Sequence, residues 1–340
     1  MQLRSNRRQF AVGAATAALA ATLPAKARSV TPALQWHTDS KVEVGGHNPQ
    51  GSGGPVVATL SDTLLTVYAG QGGKNLWYAY TGPSLTWQGN WQITDPKAGN
   101  AITTGGRPAL CNVLGSGYFL MVVPGQRVFS TWKYTLSNWI QVGAPYEDIT
   151  VLQFSEPAMG DDGGTTHLLM CDNNGNLWWY SMSHSGGSWS NQKRVASGKY
   201  PSITATLTSG TLTLHALYWD TDQKAFVKLT LPKGAPSWQS NRLITAKTPN
   251  QGAAIVSFKQ QLYVVYTASG SGNNLQYAPL NTDYTLGMPM PVAPNAHAAA
   301  TDAAPALVEF QVTSSTPAQD SLIMLHKGES SNNLWFSVAD

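Results

Sequence analysis

Residues 55–93 read PVVATLSDTLLTVYAGQGGKNLWYAYTGPSLTWQGNWQI, and this stretch decides the fold. Apolar side chains alternate with Thr, Ser and Gln in short runs, each broken by Gly, Asn, Asp or Pro, which is the pattern of half-buried strands. The run at residues 64–68 ends in the turn AGQGG. A second run, NLWYAYTG, follows, and then Trp87 and the segment 91–93. Runs of the same kind recur at 119–123, 212–217 and 262–266, followed by the turns PGQ, DTDQ and ASGSG. Helix signals are almost absent after residue 27, so an all-β chain is expected.

The strands recur as a unit. Each unit opens on a short apolar segment, introduced by proline at Pro55, Pro108, Pro157, Pro201 and Pro305; a fifth unit starts near Gln251 without one. Proline is tolerated at the first residue of a strand, where its missing N–H breaks no ladder bond. The third-strand positions Trp77, Trp132, Trp178, Phe226, Gln276 and Trp335 lie 55, 46, 48, 50 and 59 residues apart. A four-stranded antiparallel unit at that period is a propeller blade. The reading is a β-propeller of six four-stranded blades. The sixth unit stops before its outer strand, and the segment 34–44 has the missing strand's character. It is expected to complete the last blade, closing the ring and covering open strand edges.

The first 27 residues read differently. Arg4, Arg7 and Arg8 precede an Ala-rich apolar run, 10–23, and the A-x-A-like segment Ala25-Lys26-Ala27. That is the layout of a secretory signal, and the pair in Asn6-Arg7-Arg8-Gln9-Phe10 marks the twin-arginine route. The run is shorter than the ~20 residues needed to span a bilayer. The expected division is a signal peptide at 1–27 and one propeller domain at 28–340, located in the periplasm or secreted, with no membrane span in the mature chain.

The full chain holds 21 Lys+Arg against 18 Asp+Glu; four of those bases lie in the signal, which leaves 17 against 18. A near-neutral chain with only 11% charged residues lacks the clustered phosphate-neutralising groups that nucleic-acid binding requires. Twelve Trp and 13 Tyr are too many aromatics for a disordered chain. The bland role for any one tryptophan is inter-blade core, where a broad flat ring fills the wedge between twisted sheets; a contiguous exposed aromatic would be the informative exception. Cys111 and Cys171 would meet an oxidising compartment. Either they close a disulfide, or they are two small buried hydrophobes.

The pattern P-A-L, then L-hydrophobic-x-Y-x-G, then NLW-Y, then S/T-W resembles the six-bladed propellers of sialidases and their non-enzymatic relatives, which include fucose-binding lectins. The resemblance covers about residues 32–340. The segments MSHSGGSW (182–189) and YTGPSLTW (80–87) are similar to the closing half of sialidase Asp-box turns, but His184 and Gly82 stand where the aspartate belongs. The sialidase pattern implies an arginine at the start of the first blade, one of three that grip the substrate carboxylate. Here that stretch is Gly53-Gly54-Pro55, and Gln71 stands in place of the arginine that follows the next strand. Arg107 alone stands at the start of another inner strand. One arginine is not a carboxylate clamp, so sialidase chemistry is not expected.

Other enzyme routes are weaker. Paired carboxylates for glycoside hydrolysis could come from Asp62, Glu156, Asp161, Asp162, Asp220, Asp222, Asp302 and Glu309, although the DDGG and DTDQ segments read most simply as hairpin turns. The seven histidines form no metal-binding spacing. His37 and His47 are isolated, and His326 reads as a packed strand residue. No catalytic residues, metal or cofactor are therefore assigned. A propeller with many aromatics and few charges fits carbohydrate binding best: sugars offer apolar CH faces to Trp or Tyr, and hydroxyls to amides, Arg and Glu. Gly54, Arg107, Glu156, Tyr200, Gln251 and Ala304 precede the inner strands and should ring one mouth of the channel. Arg107, Glu156 and Tyr200 are the candidate glycan-binding residues; the rival role for the first two is an ion pair holding adjacent blades together. A protein-interaction propeller is the alternative from another class, and a glycosidase with a carboxylate pair is a third.

Overall fold

Every regular element among the described residues is a strand, as the alternating runs predict. The computed structural model describes residues 33–44, 54–70, 74–148, 153–244, 252–267, 274–292, 299, 304–313, 319–329 and 333–340, leaving aside the side chains of 191 and 241–244. The expected signal at 1–27, His47, Gly53, Gln71, Gln251 and Asp302 lie outside the described residues. The strands belong to one unit, Leu34–Asp340.

A short strand, β1 (Ser40–Lys41), precedes the first antiparallel meander: β2 (Val56–Leu60), β3 (Thr63–Ala69), β4 (Leu76–Thr81) and β5 (Trp87–Gln92). The second comprises β6 (Ala109–Val113), β7 (Tyr118–Pro124) and β8 (Val128–Tyr134), with two short strands, β9 (Trp139–Gln141) and β10 (Tyr146–Glu147), both paired to β8. The third is β11 (Phe154–Asp161), β12 (Thr165–Asp172), β13 (Asn176–Ser183) and the first half of β14 (Trp189–Thr208). The second half of β14 opens the fourth, with β15 (Thr211–Asp220), β16 (Ala225–Pro232) and β17 (Gln239–Ile244). The fifth is β18 (Ala254–Phe258), β19 (Gln261–Thr267), β20 (Leu275–Leu280) and β21 (Met290–Pro291). The last runs β22 (Ala306–Val312), β23 (Gln319–Lys327) and β24 (Leu334–Ala339), and β1 pairs with β24 as its outer strand.

The 20-residue β14 departs from the two separate strands expected there. The chain crosses from one meander to the next at Gly198 without a turn. A Cβ at Gly198 would stand 2.3 Å from the Tyr218 ring, so only glycine lets the backbone pass this close. The prolines also divide into two groups. Pro55, Pro108 and Pro305 stand just ahead of β2, β6 and β22, as expected. Pro157 and Pro201 lie inside strands, at register breaks between Ser155 and Ala158 and between Lys199 and Ser202; such bulges excuse a residue from the ladder.

Packing follows the order of the meanders. The first strands touch in sequence, β2 to β6, β11, β14, β18 and β22, and β22 touches β2 again. The described buried apolar side chains form clusters that straddle consecutive meanders. One joins Leu65 and Val67 to Phe119 and Met121; another joins Leu64, Tyr68 and Trp87 of the first meander to Phe310, Ile323 and Leu325 of the last. The N-terminal segment is tied to the last meander by more than its ladder. Asp39 accepts hydrogen bonds from buried His326 and from the Ser337 hydroxyl, and His37 pairs with Asp340 at 2.9 Å.

The cysteines stay apart. Cys111 and Cys171 are free and buried, in clusters centred on different meander pairs. Burial in an apolar setting pushes both thiols well above their usual range. The disulfide reading is thereby corrected: the pair serves as small core hydrophobes.

Candidate functional site

The first strand of each meander carries small or branched residues, and these strands face one cavity of about 80 Å³. Its lining includes Val56, Arg107, Pro157, Pro201, Ile255 and Pro305, one from each first strand or the residues leading into it. That volume holds several waters and is small beside the ~300–1,000 Å³ of usual small-molecule sites.

Arg107 leads into β6, whereas Glu156 and Tyr200 lie inside β11 and β14 at their bulges, and the three are neighbours. The Arg107 guanidinium donates from Nε and Nη2 to the Pro55 carbonyl at 3.2 and 2.6 Å, and from Nη2 to the Pro305 carbonyl at 3.3 Å. It thus straps the first, second and last meanders together. Burial lowers its pKa to about 10, against the opposing pull of Glu156, so it stays charged at neutral pH. Gly54 makes room for it: a Cβ there would stand 2.7 Å from the Ala304 oxygen and 3.5 Å from Arg107 Nε.

Glu156 accepts a hydrogen bond from the Tyr200 backbone N–H at 3.1 Å, which links the third meander to the fourth. Burial raises the Glu156 carboxyl, opposed by that hydrogen bond and by Arg107. Both residues have left-handed backbone, with φ of 50° at Glu156 and 57° at Tyr200. Such a conformation is uncommon for non-glycine residues, and each is followed by the proline of its bulge. The Tyr200 ring rests partly buried against the cluster that contains Trp219 and Ile255.

Most other candidate carboxylates are engaged in turns. Asp161 Oδ1 accepts the Gly163 and Leu114 N–H groups, and its Oδ2 accepts the Thr166 hydroxyl and faces His184 at 2.7 Å. Asp162 Oδ1 takes the Gly164 and Thr165 N–H groups. Its Oδ2 faces His167 Nε2 at 3.3 Å, while His167 Nδ1 accepts the Trp179 indole N–H; Nε2 is therefore the protonated nitrogen, donating to Asp162. Asp220 accepts the Asp222 and Gln223 N–H groups. His184, which replaces the aspartate of the Asp-box pattern, thus fastens its turn through Asp161 on the neighbouring hairpin. Glu309 differs: its carboxyl is raised by burial and by nearby Asp320, which the sequence reading had not paired with it. Among the described residues no group of three or more His, Cys, Asp or Glu is placed to hold a metal ion, and no helix is long and apolar enough to cross a membrane.

The tryptophans are mostly core, as the bland reading has it. An exposed tryptophan beside Arg or Glu does not recur from meander to meander. All 12 tryptophans lie among the described residues, and only Trp91, at 46% exposure, stands out from the surface. The signal for it was in the sequence: Gly89-Asn90 interrupts β5, and an isolated glycine inside a strand marks a bulge.

The structure is similar to that of AofleA from Arthrobotrys oligospora, at a TM-score of 0.57 and 11% identity over 86% of this chain and 85% of that one. It is also similar to the Aleuria aurantia lectin, a six-bladed β-propeller that recognises fucose, at 0.51 and 15% over 83% and 93%. A third likeness is to a neuraminidase-like protein from A/bat/Guatemala/164/2009, at 0.54 and 9% over 86% and 89%. The chain is a β-propeller. No protein-family model and no curated protein matches its sequence. At these identities the likeness concerns the fold, which hosts many functions.

Proposed function

We propose that this is an exported, carbohydrate-binding propeller without sialidase chemistry, working in the periplasm or outside the cell on a glycan ligand. Its six blades form a ring closed by the N-terminal strand. Support for the closure comes from β1 on β24, from the cluster joining first and last meanders and from the contact of β22 with β2. Support for export comes from the twin-arginine pattern at 4–27.

The observation that carries the carbohydrate reading is the pair Glu156 and Tyr200. They are successive pre-proline residues held in left-handed conformation, on bulges of two neighbouring inner strands. Strain of this kind persists where surrounding structure fixes it, and it clusters at ligand sites; bulges re-aim side chains there. The pair offers a carboxyl group and an aromatic ring side by side at the rim, as a sugar requires. Arg107 stands behind them as a strut, its Nε and Nη2 donors engaged on Pro55 and Pro305. The same engagement is the argument against sialidase chemistry, since both forked edges of the guanidinium use Nη2, and with Nη2 held by two carbonyls neither edge is open for a bidentate grip on a substrate carboxylate.

The test uses a glycan drawn from an array and reads affinity and melting together on Tyr200→Ala and Glu156→Gln. Loss of roughly 10-fold or more in affinity with little change in melting is the expected result, since a charge-assisted hydrogen bond contributes about 1.5–3 kcal/mol. Unchanged affinity with lowered melting would return both residues to the scaffold. Specific capture of a protein in place of any glycan would favour the interaction reading.

A further inference from the structure

The outer strand of the first blade, β5, reads WQGNWQ. Trp87 at its start is buried in the cluster with Phe336 and Tyr68. Between it and Trp91 the register against β4 slips, from Tyr78 opposite Trp91 to Ala79 opposite Gly89. Gly89 and Asn90 at this bulge have φ of 102° and 79°, and the buried Tyr68 hydroxyl pins the bulge by donating to Asn90 Oδ1 at 2.6 Å. The extra residue turns Trp91 outward.

The indole is seated rather than dangling. A Cβ on Gly89 would lie 2.6 Å from two carbons of the Trp91 ring, so the ring lies across the glycine. Its centroid stands 5.4 Å from that of Tyr78 and 5.6 Å from that of Tyr80, with tilts of 45° and 30°. Tyr78 in turn packs edge-on against Tyr134 and Trp139 of the second blade. One side of the indole thus rests on glycine and tyrosine while the residue keeps 46% of its surface in water. Gln88, exposed and directly opposite Tyr80, borders it. Strands β4 and β5 carry no charged side chain at all.

We propose that Trp91, seated on Tyr78 and Tyr80 and bordered by Gln88, is a stacking platform for a neutral pyranose ring of a glycan chain, apart from the channel rim. The proposal rests on the carbohydrate reading above but uses a different surface. An exposed aromatic face held flat by its neighbours loses little freedom on binding, and the apolar CH face of a sugar removes it from water. The sugar's hydroxyls then lie at the edge of the ring, where an amide such as Gln88 both donates and accepts. The absence of charge on both strands matches an uncharged sugar. An acidic sugar finds no cation on these two strands, and a cationic ligand drawn to the indole face finds no carboxylate on them.

The experiment is calorimetric titration of the exported, processed protein with cellohexaose, chitohexaose and tri-galacturonic acid, repeated on Trp91→Ala, Trp91→Phe and, as a surface control, Leu207→Ala, whose side chain is exposed. At least one neutral hexasaccharide should bind. Trp91→Ala should weaken it by about tenfold or more, as for a central aromatic contact. Trp91→Phe should keep most of the affinity, Leu207→Ala should leave it unchanged, and both Trp91 variants should still unfold cooperatively, with only the modest drop in melting expected from lost contact with Tyr78 and Tyr80. Binding of neither hexasaccharide, preference for the acidic trimer, or parental affinity in Trp91→Ala would each overturn the platform. Should an array still find a glycan whose binding depends on Tyr200 but not on Trp91, the platform falls and the carbohydrate reading stands; no glycan on either surface removes both.

Discussion

Arg107 shows how one side chain's contacts decide its role. Its three donated bonds end on carbonyls of two other meanders, and the Glu156 carboxylate helps to hold its charge. Replacing it with alanine leaves those carbonyls unmet and Glu156 without its cation. Loss of a buried charged partner typically costs ~3–5 kcal/mol, so Arg107→Ala should lower unfolding free energy by about 3 kcal/mol in urea titration. Affinity per folded molecule should change far less, and the reverse pattern would make Arg107 a ligand contact. His215 allows a second check. Burial, with Lys228 adding to it, lowers its pKa from 6.5 to about 4. Above pH 6.5 the imidazole is neutral in folded and unfolded chains alike, and its contribution is fully present. As pH falls from 6.5 towards 4 the unfolded chain takes up a proton that the folded chain refuses, so stability drops by up to about 3 kcal/mol. Urea titrations at pH 7 and 4.5 should show that loss in the parent and less of it in His215→Gln; equal losses in both would contradict the assignment.

Elements were legible where two signals agreed. Alternation and turn residues together located β3, β7, β15 and β19, and the proline-led repeat located the first strands. The run-on through β14 escaped notice because Gly198 and Pro201 are turn residues in sequence; Tyr218 packing on the one and a bulge at the other keep the strand continuous. The rim trio was found from its position before proline, yet the destination of the Arg107 donors was not readable, since it depends on carbonyls 52 and 198 residues away. Trp91 looked like its partner Trp87 until the bulge turned it out. At this scale the N-terminal strand carries the sharpest prediction. Deleting residues 30–45 exposes β24 as a free edge, uncovers Phe336 and strips His326 of Asp39. Loss of burial at Leu34, Val42 and Val44 alone should cost roughly 5 kcal/mol at ~1.5–3 kcal/mol each. The shortened protein should aggregate or melt well below the parent, as seen by light scattering and calorimetry. A monomer melting like the parent would refute closure by this strand.

For the whole molecule, export and binding are separate claims with separate readouts. Replacing Arg7 and Arg8 together with lysine should hold the protein in the cytoplasm at full length, whereas continued export and cleavage near Ala27 would refute the twin-arginine route and leave the signal itself intact. In the proposed carbohydrate reading the propeller carries two chemically distinct surfaces for sugar, a polar-aromatic rim and an uncharged indole face on the first meander. Both exist only if the propeller is a carbohydrate binder, and a broad glycan array probed with the exported, processed protein tests this most directly. The account predicts saturable binding to at least one glycan class, with neutral chains preferred. No binding across the array by a protein that is folded and monomeric would contradict it.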